Sequence, residues 1–288
     1  MSKVAVPKTL GIFFLSFEKS SRLHREDTLK KKILSISSTI AGLEVVFWKS
    51  SIWQPSSISK LKRSYGKYLK FKFQSEKAWF GASSFKSCAY VFSFEVLRLI
   101  RGESLIFRKK DRIYRERVLS DKHFRAWIYA IDSGVDFALF LEDDVDIEAT
   151  LKVTLQEVVT SLTFDNPTFI NLSLGNDLAK FNKNLVSLEK AERWFTLKGA
   201  DTTAAYIANK ECLKVLAQEL SDFGNYDALA IDFVVSSIFF KNPAINVLHR
   251  IEPPFSNGTL VGIYDSEIDK NTQRDIYQRT LRRNSEEI

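Results

Sequence analysis

Phe137-Ala138-Leu139-Phe140-Leu141 is an unbroken apolar run, and Glu142-Asp143-Asp144-Val145-Asp146 follows it directly. A short continuous run of this kind, preceded by Gly134, reads as a central strand buried on both faces, as in parallel sheets. Four carboxylates within five positions then stand at its carboxyl end, where open α/β sheets bind their ligands. Mutually repelling acids at such a place are costly unless something cationic sits among them. Hard divalent ions such as Mg²⁺ or Mn²⁺ prefer oxygen ligands and often bridge one or two carboxylates to phosphates. Glu142 and Asp144 are the candidate metal pair. Asp146 reads as the N-cap of a following helix, with Glu148 in its first turn.

The remaining pattern fits a sheet of that kind. Residues 11–17 read as a strand, 20–37 as a helix opened by Ser20 or Ser21, and Leu43 to Trp48 as a second strand. Strand–helix–strand order predicts parallel pairing with right-handed crossovers. Further on, helices are expected over His123–Ser133, Glu148–Leu162, Lys210–Leu220 and Ala228–Phe240. Strands are expected over Phe169–Leu172, Thr202–Ile207 and Ile245–Ile251. The fold class is therefore α/β, a mostly parallel central sheet flanked by helices. Residues 1–270 read as a single domain and 271–288 as a basic polar tail. The stretch 52–117, with a helix at Cys88–Ile100, reads as an insertion.

Composition narrows the classes. The chain has 288 residues, 45 % of them aliphatic or aromatic, so a large core is available and global disorder is excluded. A net charge of +7 is modest for this length, so no nucleic-acid partner is expected. Two cysteines, Cys88 and Cys212, supply neither a disulfide framework nor a four-thiolate zinc site. No window approaches the roughly 20 apolar residues of a membrane span, and no secretory signal pattern opens the chain. The expectation is a cytoplasmic protein. Its basic stretches at 60–72 and 98–117, interleaved with aromatics, suit either a solvated face or peripheral contact with an anionic membrane.

Several segments, taken in order, resemble one family. "LFLEDDV" (Leu139 to Val145) is similar to the "LILEDDV" segment of the lipooligosaccharide galactosyltransferases and their collagen-modifying relatives, glycosyltransferase family twenty-five. "KHFRAW" (Lys122 to Trp127) resembles that family's "SHxxAW", and "FFLSFEKSSR" (Phe13 to Arg22) its opening strand and turn. "TTAAYIANKECLKVL" (Thr202 to Leu216) is similar to "GTxAYxISxxGAxxLL", Ala230 to Asp232 to its "xID" acid, and Pro253 to Ile268 to its closing segment. Lys122 stands in place of the family's Ser, and Asn257 is the nearest polar substitute for its closing Gln.

The resemblance implies a GT-A-type nucleotide-sugar-binding fold; 52–117 reads either as part of the catalytic core or as an acceptor-side insertion. It implies transfer of a sugar, galactose by analogy, from a UDP-sugar to a cell-envelope glycan or lipid-linked saccharide. Asp144 and Glu142 would hold Mn²⁺ or Mg²⁺ on the diphosphate, with His249 completing the shell or serving as a core histidine. An inverting transfer needs a base, for which Asp232 is the first candidate and Asp201 the rival; capping and turn roles compete with each. Arg22, His123, Asp143 and Thr203 make up the nucleotide-sugar-binding set; Arg22 and His123 have ordinary structural readings as well. Two other classes stay open: a nucleotidyl- or phosphoryl-transfer enzyme acting on nucleic acid, and a relative that binds nucleotide-sugar without turnover.

Overall fold

A computed structural model describes residues 8–15, 20–49, 110–160, 166–173, 194–200, 202–222 and 230–257, with isolated positions between 85 and 100. In chain order the elements are β1 (Lys8–Leu15), α1 (Ser20–Ser37), β2 (Leu43–Lys49), α2 (Lys110–Ser133), β3 (Phe137–Glu142), β4 (Val145–Ile147) and α3 (Leu151–Thr160). Then follow β5 (Thr168–Asn171), β6 (Trp194–Thr196), β7 (Ala205–Asn209), α4 (Lys210–Asp222), α5 (Ile231–Lys241), β8 (Asn246–Arg250) and β9 (Phe255–Asn257).

Seven strands form one sheet in the order β2-β1-β3-β7-β5-β8-β6. β1 is parallel to both β2 and β3, and β5 is parallel to β8; β7 and β6 run antiparallel to their neighbours. The expected α/β architecture, a mostly parallel sheet between helices, is what the chain adopts. β3 is an interior strand, third of the seven and flanked by β1 and β7, and every residue from Phe137 to Leu141 is buried.

Strand alternation divides the core into two halves. Phe13, Ala138, Phe140, Phe169, Tyr206 and Val247 face α2, α4 and α5. Ile12, Phe14, Leu139, Leu141, Ile170 and Ile207 face the other way, toward α1 and α3. On α2, Leu119, His123, Ala126, Trp127 and Ala130 recur at helical spacing and form its buried stripe. The helix ends at Gly134, whose φ of 75° is the left-handed conformation that closes many helices. Asn209 caps α4: its Oδ1 accepts the amide of Cys212 at 3.0 Å and also that of Thr168 at 3.0 Å.

Tertiary pairing changes several local expectations. Asp146 is not a helix cap. It lies in β4, opposite Ser256 of β9, and its own carboxylate accepts the Ile147 amide at 2.9 Å. The helix expected from Glu148 begins at Leu151. β4, β6 and β9 are three-residue strands with no sequence periodicity of their own, made by their partners. β9 also reaches the end of β5, where the Phe255 amide bonds Leu172 O at 3.2 Å. The α2 helix begins at Lys110, not His123, so residues 110–117 of the expected insertion belong to a helix of the main body. Apart from isolated helical positions between 85 and 100, the rest of 52–117 lies outside the described residues, as does the tail from 258.

Candidate active site

The carboxyl end of β3 places Glu142 on the α2 side of the sheet, the side of Ala138 and Phe140. Its backbone amide is fixed to Ala204 O at 2.8 Å. Three side chains converge around its carboxylate. The Thr203 hydroxyl donates to Glu142 Oε1 at 3.1 Å, and His123 Nε2 lies 3.3 Å from the same oxygen. The other ring nitrogen of His123, Nδ1, is 2.7 Å from the Tyr206 hydroxyl, which also accepts the indole N–H of Trp127 at 2.7 Å. The His123 and Tyr206 rings stack at 5.6 Å, and Tyr206 is flanked in turn by Phe140 and Phe169.

With Glu142 ionised, this geometry fixes every proton. A carboxylate can only accept, so His123 carries its proton on Nε2 and its Nδ1 accepts from Tyr206. The chain then runs from Trp127 through Tyr206 and His123 to Glu142. Burial governs the charges. It lowers the His123 pKa to about 3, with Lys122 adding to the effect, so the ring is neutral. It raises the Glu142 pKa to about 7; Thr203 opposes that rise and Asp143 adds to it. A carboxyl that is half ionised near neutrality, at the end of a central strand, is the kind of group that marks functional sites.

Asp144 sits in the turn between β3 and β4, two residues beyond Glu142 and partly buried. The two supply hard oxygen donors. Among the described residues, no group of three or more His, Cys, Asp or Glu side chains gathers to hold a metal. A divalent ion here would take one or two carboxylates and complete its shell from phosphate and water, as Mg²⁺ commonly does. The donor chemistry fits.

The other expected residues fall in different places. His249 lies on β8, three strands from β3 in the sheet, or roughly 14 Å at ordinary strand spacing. Its Nε2 donates to Leu197 O at 3.1 Å, its ring stacks on Phe195 at 5.0 Å, and burial lowers its pKa to about 4. It is not brought together with Glu142 and Asp144. Its neighbour Arg250 pairs with Glu157 and lies over the Trp194 ring, 5.1 Å from its centre. Asp232 is in the first turn of α5, partly buried, next to Ile231 of the core. Arg22 belongs to α1 by its backbone, but its side chain lies outside the described residues, as does Asp201. Trp127 and Tyr206 were not among the expected site residues. Both occur within the segments "KHFRAW" and "TTAAYI", and a large aromatic at helix or strand spacing reads as core.

No protein-family model matches the chain, and no curated protein matches it. Among solved structures, the chain is similar to a glycosyltransferase involved in the glycosylation of the major capsid of PBCV-1. That match has 8 % identity and a TM-score of 0.41, covering 94 % of this chain and 100 % of the other. It is also similar to mouse xyloside xylosyltransferase 1 in its apo form, at 12 % identity and a TM-score of 0.32, covering 82 % of this chain and 70 % of the other.

Proposed function

We propose that the chain is a glycosyltransferase that uses a divalent cation, Mn²⁺ or Mg²⁺, to move a sugar from a UDP-sugar to a hydroxyl of a cell-envelope glycan. The observation that carries this reading is convergence. The three segments "KHFRAW", "LFLEDDV" and "TTAAYI", separate in sequence, meet at the single carboxylate of Glu142.

Asp144 and Glu142 would hold the cation. When bound, it supplies Lewis-acid stabilisation of the charge that develops on the departing diphosphate. Thr203 and His123 donate to Glu142 and hold its carboxylate in one orientation. Tyr206, itself held by Trp127, keeps the ring of the neutral His123 correctly turned. Asp232, in the first turn of α5, is the base that takes the acceptor hydroxyl's proton as that oxygen attacks the anomeric carbon with inversion. Galactose as the sugar and a lipooligosaccharide as the acceptor follow from the family resemblance.

Calorimetric titration with UDP, with and without Mn²⁺, tests the reading. Binding that requires the cation and disappears in Asp144→Ala is expected, followed by turnover of a UDP-sugar. Failure to bind in either condition would refute it. If Asp232→Asn kept the full transfer rate, the base would be elsewhere, with Asp201 next in line.

A further inference from the structure

Phe85, Phe92, Val96, Leu97 and Ile100 are each helical in their backbone and exposed, Phe85 by 83 %, Phe92 by 70 % and Ile100 by 77 %. The steps 85, 89, 92, 96 and 100 are those of one face of an α-helix, and Ala89 and Ser93 are exposed beside them. Isolated surface apolar residues need no explanation, but several large ones in helical register do. From the family-like segments alone this stretch has no role.

The charge of the sequence segment that bears these residues decides what covers them. Residues 52–117 hold 16 Lys and Arg against 5 Asp and Glu, a surplus of eleven. The whole chain has a surplus of seven, so everything outside 52–117 is net acidic by four. The positive charge of the molecule thus belongs to the stretch that carries the exposed apolar face. A second copy would bring two such positive segments together and repel. An anionic lipid surface attracts the charge and takes up apolar side chains without needing a shaped pocket. Among the described residues no helix is long and apolar enough to cross a membrane, so contact of this kind is with the surface.

We propose that the face bearing Phe85, Phe92, Val96, Leu97 and Ile100 docks the protein on a membrane containing anionic lipids. The apolar side chains enter the boundary beneath the headgroups while the basic residues of the same segment meet the phosphates.

Co-sedimentation of the full chain with vesicles tests this, using phosphatidylcholine alone and phosphatidylcholine mixed with phosphatidylglycerol. Binding to the mixed vesicles alone, weakened by high salt, is expected. The combined variant Phe85→Ser, Phe92→Ser and Ile100→Ser should lose at least about tenfold in partitioning with an unchanged thermal melt. No binding of the wild type to anionic vesicles would overturn the proposal. Equal binding by the variant would do the same, because the charge alone would then be responsible. A wild-type dimer that the variant converts to monomer, without vesicle binding, would assign the face to a second copy instead.

Discussion

His123 Nδ1 and the Tyr206 hydroxyl, 83 residues apart in sequence, lie 2.7 Å from each other in the core, and both groups are fully engaged. The hydroxyl holds the imidazole on one side while accepting Trp127 Nε1 at 2.7 Å, so a single oxygen links α2 to β7 at two points. The free end of this chain is His123 Nε2, which reaches Glu142. Positioning of the candidate active carboxylate is thus built from buried aromatic residues, and it can be dismantled one atom at a time.

Tyr206→Phe removes only the hydroxyl. It strands the indole N–H of Trp127 and the Nδ1 of His123, both fully buried. A buried polar group left without a partner costs about 1–3 kcal/mol. The expected result is a lower urea midpoint and weaker Mn²⁺-dependent UDP binding together. Unchanged stability would mean that the hydroxyl's partners find replacements, and the fixed tautomer of His123 would have to be abandoned.

This network was only partly legible in the sequence. The apolar run before the acidic cluster placed β3 and Glu142 correctly, because a central strand is decided by its own composition. Trp127 and Tyr206 could not be assigned that way, since a side chain that packs and hydrogen-bonds has the same spacing as one that only packs. Asp146 departs from the sequence expectation for the opposite reason. Its local preference is for a helix cap, but pairing with Ser256, more than a hundred residues away, draws it into β4. Local preference yields to a partner that only the fold brings near.

A second prediction concerns packing on β1. A Cβ at Gly11 would stand 2.6 Å from Cζ3 of Trp48, 2.9 Å from Cε2 of Phe13 and 3.2 Å from Cγ1 of Val135. Phe13 and Trp48 are stacked at 4.9 Å with planes 5° apart, so the obstructing atoms belong to rings held against each other. Gly11→Ala should destabilise the fold by about 1–3 kcal/mol, the usual range for overpacking. Equilibrium unfolding in urea reads this directly, and a neutral result would show that the stack can slide.

The pH dependence of stability follows from two fully buried histidines and the partly buried Glu142. The folded-state pKa values of His123 and His249 lie near 3 and 4, below the ordinary 6.5, so unfolding takes up a proton at each ring between those limits. Their stability contribution is complete above about pH 6.5 and is lost as pH falls toward the folded values. Glu142 has the opposite sign: its pKa of about 7 exceeds the ordinary 4.5, so unfolding releases its proton in that window. Near pH 5.5 the three sum to a net uptake of about one proton, or about 1.4 kcal/mol per pH unit. Calorimetric unfolding in buffers of different ionisation enthalpy measures that number. Release of protons instead of uptake would contradict the neutral state assigned to the two histidines.

Glu142→Gln separates stability from function. The amide resembles the protonated carboxyl, keeps an oxygen for Thr203 and His123, and cannot ionise. In the wild type, holding the charge in the folded state is unfavourable from about pH 4.5 upward and the cost levels off above about pH 7. Removing it should therefore leave stability nearly unchanged at pH 4.5 and raise it above pH 7, by about 3 kcal/mol at most. Net proton uptake on unfolding near pH 5.5 should rise from about one to about two, because the opposing group has gone. Cation-dependent UDP binding should fall together with the charge, since a neutral amide is a poor ligand for a hard divalent ion. Melting curves at both ends of this pH range, with a UDP titration in Mn²⁺, cover the whole prediction. A variant that is less stable than wild type at pH 8 would show that the ionised carboxylate is well satisfied in the fold. A variant that is more stable yet binds UDP and Mn²⁺ unchanged would leave Asp144 to hold the cation without Glu142.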